Sequence, residues 1–197
     1  MILIIEFKSQ EECHMDKKAL YNLSYGVFML ATRSGNVVNG CITNTCIQVA
    51  NNPVRIAISV LNSNYTCDLI KESGIFTLSL LDQTCSFETI RHFGFQSGRD
   101  VDKFAKTGLT PIPMEHVHAM GIDESPVNME CKITEKRELG SHTMFIAEVV
   151  GVTVDDQYMD ETGKFHINES GLVMYSHGEY FALGKKLGKF GYSVKKK

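Results

Sequence analysis

A chain of 197 residues with 43% hydrophobic and 22% charged content has the composition of one globular domain with elaborations, not of a disordered or fibrous protein. Its formal charge of -3 supplies no basic field for nucleic acid, so no such partner is expected. The one charge asymmetry is the run Lys185, Lys186, Lys189 and Lys195 to Lys197, which suits a solvated tail or a landing surface for an acidic redox protein.

The opening Met1 to Phe7 is interrupted by Glu6 and is too short for a membrane span or a secretion signal. A cytoplasmic protein with no membrane partner is expected. Residues 1–15 read as an extension of undefined structure, 16–184 as the folded domain and 185–197 as a basic tail. The six cysteines, Cys13, Cys41, Cys46, Cys67, Cys85 and Cys131, include no pair at the spacing of a zinc ribbon or redox dithiol. Most of them lie beside apolar neighbours and read as reduced, small buried hydrophobes, and no metal is expected.

In chain order, Tyr25 to Ala31 and Asn36 to Val38 form an antiparallel pair turned at Arg33 to Asn36, where Gly and Asn tolerate positive φ. Gly40 to Val49 is a small, polar extended stretch that Asn51-Asn52-Pro53 breaks. Val54 to Leu61 is apolar and β-branched after Arg55, the mark of an interior strand. A helix follows over about Tyr65 to Ser73, closed by Gly74 at its left-handed end. Ile75 to Leu81 alternates as a half-buried strand. Cys85 to Phe93 is helical, and Gln96 to Asp100 is a loop or a helix start. Val127 to Lys136, Thr143 to Val154 and Leu172 to Tyr175 are strands, with turn chemistry at Glu135 to Ser141 and Asp155 to Phe165. Many strands, few helices and no βα alternation predict a mainly β, Greek-key antiparallel barrel.

The strongest chemical signal is the junction Asn62, Ser63, Asn64 and Thr66, where a buried strand delivers small polar residues to a helix start. Unpaired N–H groups and the positive end of the helix dipole suit a phosphate there; the same residue types also suit plain N-capping. In Asn39 to Thr45, Thr43 and Thr45 point together, toward the edge of a heterocycle or simply toward solvent. Glu115, His116 and His118 follow two prolines and lack a third ligand at metal spacing. Ser59 has no nucleophile elbow, which disfavours a triad with His92 and Asp100. Neither a G-x-G-x-x-G turn nor a P-loop is present, so any nicotinamide nucleotide binds transiently.

The order of Asn39 to Thr45, Pro53, Asn62-Ser-Asn-Tyr-Thr66, Phe93-Gly-Phe-Gln-Ser-Gly-Arg-Asp-Val-Asp-Lys-Phe104 and Ser141-His-Thr-Met-Phe-Ile-Ala-Glu-Val149 resembles the flavin reductase-like FMN-binding split barrels. The resemblance runs from about Leu20 to Tyr180 and is greatest to the branch of flavoredoxins and high-molecular-weight rubredoxin flavin domains. It implies a homodimer that binds FMN near the subunit interface and reduces it with NADH or NADPH. It also implies a phosphate held by Asn62, Ser63, Asn64 and Thr66, and a ribityl chain and ring lined by Asn39, Cys41, Thr43, Asn44, Thr45 and Ser97. Lys103 and His142 are implied near the isoalloxazine as the catalytic candidates; each also has an ordinary reading, a solvated lysine and a hydrogen-bonded structural histidine. A cation at the flavin N1–C2 edge would stabilise the reduced ring. Electrons would pass to a rubredoxin-like protein, free flavin or a small acceptor. A non-enzymatic FMN electron carrier or sensor, and the pyridoxamine-phosphate oxidase type of split barrel, remain alternatives.

Overall fold

The computed structural model describes residues 20, 22–105 and 107–188. The expectations for residues 1–15, for Cys13 and for the lysines from Lys189 onward therefore lie outside the described residues.

After a short β1 (Ser24–Gly26), β2 (Phe28–Ser34) and β3 (Val37–Thr43) form the expected hairpin, turning at Gly35 with φ +56°. β4 (Cys46–Asn51) and β5 (Val54–Leu61) form a second hairpin. α1 (Tyr65–Ser73) is capped by Asn64 and ends at Gly74, whose φ of +71° is the left-handed geometry expected there. β6 (Ile75–Leu80) leads to α2 (Phe87–Phe95), capped by Ser86. The small β7 (Pro111–Pro113) and β8 (Met120–Ile122) pair with each other. The long β9 (Val127–Leu139) and β10 (His142–Val154) form the largest hairpin, and β11 (Val173–Ser176) with β12 (Glu179–Ala182) is the last hairpin of the described residues.

The main sheet has seven antiparallel strands in the order β3-β2-β6-β9-β10-β5-β4. Its outermost strands are consecutive in sequence, joined only by Asn44 and Thr45. Laid flat, seven strands would separate those edges by about 29 Å, whereas three peptide steps reach roughly 10 Å. The sheet therefore rolls into a barrel. Since β3 and β4 are not hydrogen-bonded neighbours, the barrel stays split along that seam. The link is anchored on the β5 side of that seam, where Thr45 Oγ1 donates to Ser59 O at 2.6 Å and Ser59 N–H donates to Thr45 O at 3.3 Å.

Strand alternation divides the core. Leu30 points into the barrel with Ile56, Ile58, Phe76, Phe145 and Ala147, sealed by Cys67 and Ile70 of α1. Met29 points outward to meet Ile90 and Phe93 of α2 and Ile122 of β8, as the period of two requires.

Two expectations are corrected. Gly40 to Val49 is not one extended stretch but two strands on opposite edges of the sheet, because Asn44 and Thr45 carry the chain across the seam. Glu135 to Ser141 is not a turn: β9 continues to Leu139 and only Gly140 and Ser141 turn. Its polar residues are exposed on a projecting hairpin that the ladder to β10 holds extended.

Candidate functional site

β5 emerges from the core at Leu61 and hands the chain to α1 through Asn62, Ser63 and Asn64. Three of the four predicted phosphate residues build this corner. Asn62 Nδ2 donates to Gly140 O at 2.8 Å, and its Oδ1 accepts from Thr143 Oγ1 at 2.6 Å, fastening the corner to the tip of the β9–β10 hairpin. Asn64 Oδ1 accepts from Thr66 N–H at 3.2 Å, the cap of α1. Thr66 is fully buried, and its hydroxyl accepts from Asn39 Nδ2 at 3.0 Å. Ser63 is exposed, and its hydroxyl has no hydrogen-bond partner among the described residues. Among those residues the N–H groups of Ser63 and Tyr65 also lack an acceptor, the orphan donors that a helix start presents.

A residue absent from the sequence expectation completes the corner. Arg99 lies 4.6 Å over the Tyr65 ring, is ion-paired with Asp68 of α1, and reaches Ser63 O at 3.5 Å. Its loop turns tightly, with the N–H groups of Asp100 and Val101 both donating to Ser97 O and Ser97 Oγ accepting from Arg99 N–H at 3.2 Å. Gly98 is pressed onto Asn39, where a Cβ would fall 1.9 Å from Asn39 Oδ1. Buried Asn39 thus ties β3, α1 and the Arg99 loop together.

Along β3, Cys41 lies behind the corner, its thiol pushed up by burial with Thr66, Lys103 and Asn64 beside it. Thr43 and Thr45 do point together, Oγ1 to Oγ1 at 3.0 Å. Thr43 and Asn44 line a cavity of about 220 Å³ whose walls include Gly94 and Phe95 of α2 and Tyr175 and Tyr180 of the β11–β12 hairpin. The two tyrosine rings meet edge to face at 5.4 Å, and Phe95 is 84% exposed. A second cavity, of about 250 Å³, lies at the opposite end of α2 between Cys85, Thr89, Thr107 and Glu124, and shares no residue with the first.

Lys103 is 3% exposed. Its ammonium donates at 2.9 Å to both Gly40 O and Phe93 O, bolting β3 to the last turn of α2. Burial pulls its pKa down, and the nearby Cys41 opposes that shift. His142 opens β10 in register with Leu61 and Leu139, beside the corner. Its Nδ1 faces Ser141 Oγ at 2.8 Å, while Nε2 has no partner among the described residues. His116 lies elsewhere, against the buried carboxylate of Glu130; among the described residues no group of three His, Cys, Asp or Glu side chains is arranged for a metal ion.

Site and barrel together define a split-barrel flavoprotein. The donor set of the corner, a hydroxyl, two free N–H groups and a guanidinium, suits the phosphate of a flavin nucleotide. The chain belongs to the flavin reductase like domain family, whose model matches residues 20–184. It is 33% identical over 172 residues to a ferric-chelate reductase (NAD(P)H) of Archaeoglobus fulgidus, covering 85% of this chain and 98% of that protein. It is 32% identical over 140 residues to a high molecular weight rubredoxin of Moorella thermoacetica, covering 71% of this chain and 60% of that one. Among solved structures, the flavoredoxin of Desulfovibrio vulgaris (Miyazaki F) superposes with a TM-score of 0.80 at 28% identity, covering 99% of this chain and 100% of the other.

Proposed function

We propose that this oxidoreductase binds FMN, accepts hydride from NADH or NADPH, and passes the electrons to a rubredoxin-like protein, to free flavin or to a small acceptor such as a ferric chelate. The observation that carries the reading is the corner at Asn62 to Thr66 with Arg99. It presents a free hydroxyl, unpaired N–H groups and a cation in a chain of this family. Asn62, Asn64, Thr66 and Asn39 hold the corner in shape, and Ser63 and Arg99 donate to the phosphate. Thr43, Asn44 and Thr45 line the ribityl chain and ring edge, supported by the aromatic walls Phe95, Tyr175 and Tyr180. Cys41 and Ser97 shape the site, Cys41 from behind and Ser97 by holding the Arg99 turn.

Bound flavin supplies the redox chemistry, accepting hydride and releasing electrons singly or in pairs. His142 offers Nε2 to the ligand, because Nδ1 is engaged by Ser141. We assign Lys103 a positioning role: its ammonium is spent on two carbonyls and fixes β3 against α2, while its charge favours a reduced anionic ring. The remaining assignments are a domain over 16–184, a cytoplasmic location and a homodimer. Edge strand β4 favours the dimer, since it exposes Ile47 and Val49 beside Val54, a patch expected at a subunit interface.

Anaerobic titration tests the function. Protein loaded with FMN is expected to bleach on addition of stoichiometric NADH or NADPH. Bleaching by dithionite or a reduced partner protein alone would instead establish the electron-carrier reading, and failure to take up FMN would overturn both.

A further inference from the structure

The start of α1 contains an ion pair at the mouth of the proposed phosphate site. Asp68 is the fourth residue of α1, and its carboxylate is bonded to Arg99 across the mouth of the corner, with the two side chains 43% and 47% exposed. Arg99 has five N–H donors. The structure spends one on Asp68 and a second, at 3.5 Å, on Ser63 O, so the fork retains three. The guanidinium is supported from two sides: it lies over the Tyr65 ring, and it springs from the Ser97–Val101 turn, which packs against Asn39. It is therefore held at the start of α1, against the Ser63 carbonyl and the Tyr65 ring, with a carboxylate as its partner.

We propose that Asp68 competes with the flavin phosphate for Arg99, and that this exchange sets how strongly the chain prefers a phosphorylated flavin to riboflavin. The inference rests on the flavin reading above. A phosphate monoester carries more charge than a carboxylate and offers three acceptor oxygens to the guanidinium fork, so it displaces Asp68. Asp68 does two opposing things. It stabilises the positive end of α1, and it holds down the net positive charge that the phosphate meets. Neutralising it adds one unit of positive charge to the corner and frees the fork. Riboflavin, which lacks the phosphate, feels neither change.

The experiment measures FMN and riboflavin dissociation constants, by flavin fluorescence, for the full chain and for Asp68→Asn, Arg99→Gln and the double variant, each confirmed folded by circular dichroism. Asp68→Asn is expected to tighten FMN by about fivefold, the scale of an exposed ion pair, with riboflavin unchanged and the gain shrinking at high salt. Arg99→Gln is expected to weaken FMN about tenfold or more, again sparing riboflavin. In the Arg99→Gln background the Asp68 substitution should lose most of its effect, because the competitor has nothing left to hold. An Asp68→Asn variant that binds FMN no more tightly, or variants that shift FMN and riboflavin in parallel, would overturn the competition and leave the flavin reading standing. An unsubstituted chain that binds neither flavin would overturn both.

Discussion

Glu130 is a carboxylate sealed into the sheet, 1% exposed, and its neighbours explain how it stays charged. It accepts from the N–H groups of His116 and Val117 and faces His116 Nδ1 at 2.9 Å. Across the ladder stands Gly151, where a Cβ would fall 2.5 Å from Glu130 Oε1. Burial alone pushes the Glu130 carboxyl up, but the His116 and Val117 hydrogen bonds outweigh it and hold it below the usual range. A carboxyl depressed on folding adds stability above its unfolded value, near pH 4.3, and that stability is lost as pH falls through the folded value. Glu130→Gln is therefore expected to cost about 1 to 3 kcal/mol at pH 7 and to flatten the loss below about pH 4. Urea unfolding at pH 7 and at lower pH measures both; parallel pH profiles for the two proteins would contradict it. At this scale sequence reading is weakest. Lys103 was legible as a cation beside the site, but not as a buried bolt between β3 and α2, because its two acceptors, Gly40 O and Phe93 O, are backbone groups with no side-chain signature. Arg99 stood in plain view in Ser97-Gly-Arg-Asp100. Its partner Asp68 is 31 residues away, and no local pattern joins them.

Elements were more legible than their contacts. α1 is where Gly74 and the Asn64 cap placed it, and β5 is the interior strand that its apolar run predicts. The outer third of the β9–β10 hairpin is polar on exposed faces, which by composition looks like turn, so its full length is not legible in the sequence. The loop after α2 is the element on which the site depends most. Gly98 is required there for space, since a methyl group would displace the Asn39 carbonyl and strain its bond to Thr66. Gly98→Ala is expected to cost about 1 to 3 kcal/mol as an overpacked contact and to weaken FMN binding. In an Asn39→Ala background, where the obstacle is gone, the same substitution should cost much less. A thermal-denaturation double-mutant cycle measures this, and additive effects would rule the contact out.

The whole molecule was legible as a mainly β barrel because strand signals outnumber helix signals and no βα alternation intervenes. The place of its seam was not, since Gly40 to Val49 gives no local sign that it crosses from one edge of the sheet to the other. Two features remain exposed at this scale: the apolar edge of β4, with Ile47 63% accessible, and the aromatic rim of the cavity. Sedimentation equilibrium is expected to show a species of twice the chain mass, and Ile47→Lys to shift it toward the monomer while leaving the fold intact. A chain that stays monomeric at every concentration would remove the homodimer from the proposal.

The two-residue link Asn44-Thr45 has a further consequence for how the protein is assembled. Among the described residues it is the only covalent strap across the seam, and their main-sheet ladders lie elsewhere. A chain cut there, with new ends between Asn44 and Thr45, keeps every paired strand but frees the two lips of the barrel to part. Such a permutant would divide the architecture into what the ladders enforce and what the strap enforces. The sheet belongs to the first, and the wall of the cavity at Thr43 and Asn44 belongs to the second.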